Sequence, residues 1–209
     1  MKKVVFLFLC LFSLTAKASV ISTLDNSGFD FRCLGTSGSC GQTFGQTFTV
    51  VGSETRLIDF GFILSSISSG PLNIQFNLFA WDGSNIAGPA LFQSSVLSIN
   101  NLEAQLYTFA TNVDLTSGNQ YMAFINTAGI GNSTSPTSGF NAFSGSVYSG
   151  GSFRWERNAG DGGWNNGDNY DTRFVANFGS ANSVPAPASL ALLGLGLIGL
   201  GFSRKIKAA

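Results

Sequence analysis

The chain has 209 residues, with 26 Gly, 20 Phe and no His. Without His, Ser-His-Asp and Cys-His catalysis are excluded, as are His-ligated metals, and a general base has to be a carboxylate or a rarer group. The formal net charge of zero hides a segregation: between Lys17 and Arg204 lie five Arg, no Lys and all eleven acidic residues, a net −6 that does not suit a nucleic-acid partner.

The first element is a leader over residues 1–18. Lys2 and Lys3 form a positive start, Val4 to Leu14 an apolar run, and Ala16-Lys17-Ala18 a small-residue cleavage site. Together they predict a signal peptide cut after Ala18 by signal peptidase. Cys10 lies inside the apolar run after Leu9, a poor position for a lipoprotein cysteine. With the leader removed, Cys33 and Cys40 remain, in the segment CLGTSGSC. An oxidising compartment favours a disulfide over two free thiols there, worth about 2–3 kcal/mol by loop entropy. Zinc is poorly supported, because the chain lacks His and a second Cys pair.

Residues 19–180 are long enough for one domain and read as β throughout. Gln46 to Val51 alternates, with Phe48 and Val50 on one face. Arg56 to Leu64 sets Ile58, Phe60, Phe62 and Leu64 on one face. Leu72 to Trp81 sets Ile74, Phe76, Leu78 and Ala80 on one face, with Gln75, Asn77 and Trp81 opposite. Tyr107 to Leu115, Gln120 to Asn126 and Thr172 to Phe178 continue the pattern. Period-2 alternation rich in aromatic and β-branched residues predicts half-buried strands. Turn clusters such as Asp82-Gly83-Ser84-Asn85 and Thr116-Ser117-Gly118-Asn119 separate them, and Leu115 to Met122 reads as a hairpin. About eight or nine strands without a helical period predict an all-β, jelly-roll-like β-sandwich. Asp59 falls on the outer face of its strand, where a charge blunts edge pairing.

The stretch from Tyr148 to Tyr170 carries Trp155 and Trp164 among Gly, Asn and Asp. Aromatic faces beside amides and carboxylates suit sugar rings, so Trp155, Trp164, Tyr170 and, from the earlier strand, Trp81 are glycan-binding candidates. The alternative is that these rings are packed structural residues. Asp161, Asp168 and Asp171 with Asn165, Asn166 and Asn169 offer oxygen ligands for calcium, against the alternative of a solvated turn. Arg154, Glu156 and Arg157 are candidates for exposed ion pairs of little energy.

Residues 184–209 read VPAPASLALLGLGLIGLGFSRKIKAA. Pro185 and Pro187 keep the entry extended, the uncharged run from Ala188 to Phe202 enters lipid as a transmembrane helix, and Arg204, Lys205 and Lys207 hold the end on the cytoplasmic side. The run reaches only ~22 Å against a hydrocarbon core of ~30 Å. Gly194, Gly196, Gly199 and Gly201 weaken it further, which suits temporary retention better than the alternative of a permanent, uncleaved tail anchor.

This tail resembles the PEP-CTERM sorting signal, the tripartite signal read by an exosortase. Val184, Pro185 and Pro187, the Leu/Gly-rich span and Arg204 with Lys205 carry the resemblance, and Ala186 stands where the pattern has Glu. The resemblance implies an exported substrate of an exosortase-type processing enzyme, held transiently in the inner membrane and then delivered to the cell surface or extracellular matrix. The ectodomain resembles, more loosely, a β-sandwich module that recurs in secreted PEP-CTERM proteins. GQTFGQTFTV (41–50), FAWDG (79–83), GPALF (88–92), LTSGNQYMAF (115–124) and GSFRWERNAGDGGW (151–164) carry that likeness. The reading is a non-enzymatic structural or glycan-contacting module without a cofactor, its partner an extracellular polysaccharide. The rival is a secreted glycoside hydrolase using two carboxylates.

Overall fold

A computed structural model describes residues 18–26, 30–35, 40–67, 71–100, 103–132, 137–144, 147–159, 163–167 and 169–180. The expected signal peptide (all but its last residue), the expected transmembrane helix with the sorting residues, and Asp161 and Asp168 lie outside the described residues. No helix among the described residues is long and apolar enough to cross a membrane.

Fourteen strands are described. In chain order they are β1 (Ser19–Ser22), β2 (Asp30–Gly35), β3 (Thr43–Thr49), β4 (Arg56–Ile67) and β5 (Leu72–Trp81). Then come β6 (Ile86–Gln93), β7 (Leu97–Ile99), β8 (Gln105–Asp114), β9 (Gln120–Asn126) and β10 (Thr137–Ser144). The last are β11 (Phe153–Glu156), β12 (Asn165–Gly167), β13 (Tyr170–Thr172) and β14 (Phe174–Gly179). They form two antiparallel sheets. The first runs β1-β14-β4-β10-β13, with β2 on β10 and β8 on β4. The second runs β12-β11-β3-β9-β5-β6, with β7 on β5.

The alternating strands expected near 46–51, 56–64, 72–81, 107–115, 120–126 and 172–178 are all present. Two expectations are corrected. β8 and β9 do not form a hairpin: β8 pairs with β4 in the first sheet, and β9 with β3 and β5 in the second. The turn between them carries the chain across the sandwich, with the Gly118 N–H donating to Val50 O at 2.8 Å and Gly118 at φ +85°. Asp59 does not protect an edge, because β4 pairs on both sides, with β14 and β8; its Oδ1 accepts from Asn177 Nδ2 at 2.6 Å.

Between the sheets lies a phenylalanine core. Phe48 and Phe76 from the second sheet meet Phe60 and Phe174 from the first, all fully buried. Phe60 stacks on Phe174 at 5.4 Å, and Phe48 lies 5.3 Å from Phe60. Offset rings of this kind add to area burial. Cys33 and Cys40 form a disulfide with Cα atoms 4.8 Å apart. The adjoining backbone is tied too, Gly41 N donating to Cys33 O at 2.9 Å.

One polar clasp crosses this core. Gln46 of β3 donates from Nε2 to Asp171 Oδ1 of β13 at 2.8 Å, and its Oε1 accepts from Thr172 N at 2.9 Å. Asp171 Oδ2 accepts from Val147 N and Tyr148 N at 3.0 and 2.9 Å. Gln46, Asp171 and Thr172 are all 0% exposed, so satisfying them is obligatory. The calcium reading fails at Asp171, which is a buried structural acceptor.

Burial pushes the Asp171 carboxyl above its usual 3.8, against the lowering effect of its N–H donors. The folded state thus binds this proton more tightly than the unfolded chain, and the residue's contribution to stability falls as pH rises from 3.8 through the raised folded value. Urea unfolding across that window is expected to show the decline in the wild type and its loss in Asp171→Asn. A stability difference between the two that stays constant with pH contradicts the assignment.

Candidate functional site

Within the second sheet β9 is apolar on both faces from Tyr121 to Ile125, and the register shows why. Tyr121, Ala123 and Ile125 of β9 lie opposite Ala80, Leu78 and Phe76 of β5, facing the core. The intervening Met122 and Phe124 lie opposite Phe79 and Asn77, on the outer face. Trp81 shares that outer face, as its alternation predicts, but it is only 7% exposed. It is covered by the chain that follows β11: Trp164 meets Trp81 edge-on at 6.1 Å and Phe124 at 5.3 Å. The Arg154 guanidinium carbon sits 5.7 Å from the Trp81 ring centre, a cation–π contact.

Gly45 of β3 makes this layer possible. It faces outward opposite Phe124 and Arg154, and a Cβ there would stand 2.5 Å from Phe124 Cβ and collide with the Ala123 carbonyl. The bare backbone lets β3 and β9 approach beneath the aromatic layer.

A cleft of about 730 Å³ opens beside it on the same outer face. Its apolar wall is Phe79, stacked on Phe124 at 5.7 Å and 16°, with Trp164. Its polar groups are Asn77, Asn85, Asn126, Thr43 and Glu156. Two of these side chains, Asn77 and Asn126, are held by hydrogen bonds within the protein. Asn77 Oδ1 accepts from Gln93 Nε2 at 2.8 Å, while Asn126 Oδ1 accepts from Ala128 N and its Nδ2 donates to Ala128 O, both at 3.0 Å. Asp82 Oδ1 accepts from the N–H of Asn85 at 2.7 Å and of Ser84 at 2.8 Å, which sets the turn presenting Asn85 and holds the Asp82 carboxyl below its usual 3.8. At the other end the Ala159 N–H donates to Gln42 Oε1 at 3.0 Å, which holds that lining residue in place. Rigid amides beside an aromatic wall match a sugar, which offers a hydroxyl rim and an apolar face.

The four ring candidates therefore separate. Trp164 lines the cleft, and Trp81 supports it from below. Trp155 pairs with Phe44 on the core side and meets its ring at 6.4 Å. Tyr170 also packs against the main core. Neither is among the described residues lining the cleft. Glu156 is not an exposed ion-pair residue but is 4% exposed in the cleft wall. Thr43, Asn77, Phe79, Asn85, Phe124 and Asn126 were not anticipated as site residues. The signal for Phe124 is the run of apolar residues at every position from Tyr121 to Ile125, which marks a strand buried on both faces. Among the described residues, no group of three or more Cys, Asp or Glu is placed to hold a metal ion.

Residues 183–205 carry a PEP-CTERM protein-sorting motif, which marks export and surface sorting. No curated protein matches the chain. Among solved structures, the chain is similar to the cysteine protease and lectin-like domains of Cwp84, a surface layer associated protein of Clostridium difficile. That similarity has 9% identity and a TM-score of 0.49, over 73% of this chain and 36% of that one. The chain thus spans about a third of that chain's length.

The split between core and surface rings sets an order of stabilities. Trp155→Ala and Trp81→Ala are expected to cost about 3 kcal/mol or more in urea unfolding, and Trp164→Ala about 1 kcal/mol. Trp164→Ala as the most damaging of the three contradicts the assignment.

Proposed function

We propose that this exported surface protein is a non-enzymatic glycan-binding module, whose ligand lies in the cleft on the outer face of the second sheet. The observation that carries this is the pairing of the Phe79–Phe124–Trp164 wall with pre-positioned Asn77 and Asn126 amides in one open cleft. In this account the sandwich has jelly-roll-like connectivity. Signal peptidase removes residues 1–18. The segment 184–209 spans the inner membrane for a time, until an exosortase-type enzyme acts near Pro185 to Pro187. The module then contacts polysaccharide at the surface or in the matrix. A hydrolytic role needs two carboxylates flanking the bond. Among the described residues lining the cleft, Glu156 supplies the one carboxyl, which favours binding over cleavage.

Two measurements test the proposal. Retention on insoluble polysaccharide is expected for the wild type, with no release of reducing ends, and is expected to fall at least tenfold for Trp164→Ala while Trp164→Phe keeps most of it. Release of reducing ends supports the hydrolase instead. The intact mass of the protein from its native host is expected to lack residues 1–18 and the tail beyond the Pro185–Pro187 region; an uncut tail in the inner membrane contradicts the processing step.

A further inference from the structure

We infer that the cleft selects glycans free of carboxylate and sulfate groups and rejects polyanionic ones, an inference that rests on the glycan-binding reading above. Among the described residues lining the cleft there is no Lys or Arg, and the ionisable one is Glu156. A bound uronate or sulfate would lose its water without a cation to replace it. It would also approach the Glu156 carboxyl, and like charges repel most where water is excluded. The nearby Arg154 guanidinium is set over the Trp81 ring and is not part of the cleft lining. The net −6 of the region between the two terminal segments opposes anionic polymers at longer range.

Neutral hydroxyls, by contrast, meet matched partners. Thr43 is 1% exposed, lines the cleft, and its Oγ1 has no hydrogen-bond partner among the described residues. A buried hydroxyl left unsatisfied by folding is a standing cost. A sugar hydroxyl at this point removes that cost, and either group is able to donate or accept. The amides of Asn77 and Asn126 extend the same neutral, two-way hydrogen bonding along the wall.

The test is calorimetric titration of the full chain at pH 7 in a non-glycosidic detergent. The probes are hexasaccharides of equal length: neutral β-linked glucose and N-acetylglucosamine, a polyuronate, and a sulfated hexose. At least one neutral hexasaccharide is expected to bind tenfold or more tightly than either anionic one. Thr43→Val is expected to weaken that binding at least threefold with the melting temperature unchanged or raised, since no intramolecular hydrogen bond is lost. Glu156→Gln is expected to narrow the gap between neutral and anionic probes. An anionic hexasaccharide that binds as tightly as the neutral ones overturns the charge selection and leaves glycan binding standing. Failure of all four probes to bind overturns both. Unchanged affinity in Thr43→Val overturns the role assigned to its hydroxyl.

Discussion

The cover of Trp164 over the outer face of β9 and β5 is the contact on which the cleft depends. A sandwich strand ordinarily buries one face and wets the other. Here β3 is buried at all but its last position, and β9 at all but its two ends. Met122, Phe124 and Trp81 would otherwise form an exposed apolar patch, the kind that invites association. Trp164 closes the layer edge-on against Trp81 and Phe124. Closure stops short of Phe79, and the cleft is the space left there.

Rigidity comes from the other side of the sheet. The same strands present Phe48, Phe76 and Ile125 to the inter-sheet core. The Gln46–Asp171–Thr172 clasp fixes the registration of the two sheets with hydrogen bonds of 2.8 to 2.9 Å. Polar groups that are fully buried and fully bonded specify one arrangement, because a shift of either sheet strands several of them together. The cleft amides therefore sit on elements that do not have to reorganise on binding, which limits the entropy lost when a ligand is held.

The long alternating strands were legible in the sequence because period-2 burial is a local signal. Ile74, Phe76 and Leu78 against Gln75 and Asn77 fix both the strand and its faces. β1, β2, β6, β7 and β10–β12 were not legible. They are short, rich in Gly, Ser and Asn, or, in β6, interrupted by Gly88-Pro89, and they are strands because of their neighbours. The turn at Thr116 to Asn119 was legible as a reversal, but a reversal does not say which sheet the returning strand joins. The site was half legible. Trp155 and Trp164 look alike in an irregular segment, and their faces are set by long-range register: Trp155 lies opposite Phe44 and Arg154 opposite Gly45. The same limit applies to Asp171, whose acidic neighbourhood in sequence suggests a cation while its fold position makes it a buried acceptor.

In the proposed glycan-binding reading, ligand enters from the outer face at Trp164 and not through the Tyr148–Tyr170 segment as a whole. The indole N–H resonances report this directly, since Trp81, Trp155 and Trp164 are the three tryptophans in the chain. In a heteronuclear NMR titration with a binding oligosaccharide, the Trp164 indole is expected to shift most, Trp81 less, and Trp155 to stay in place. A shift led by Trp155, with Trp164 unmoved, would contradict the account.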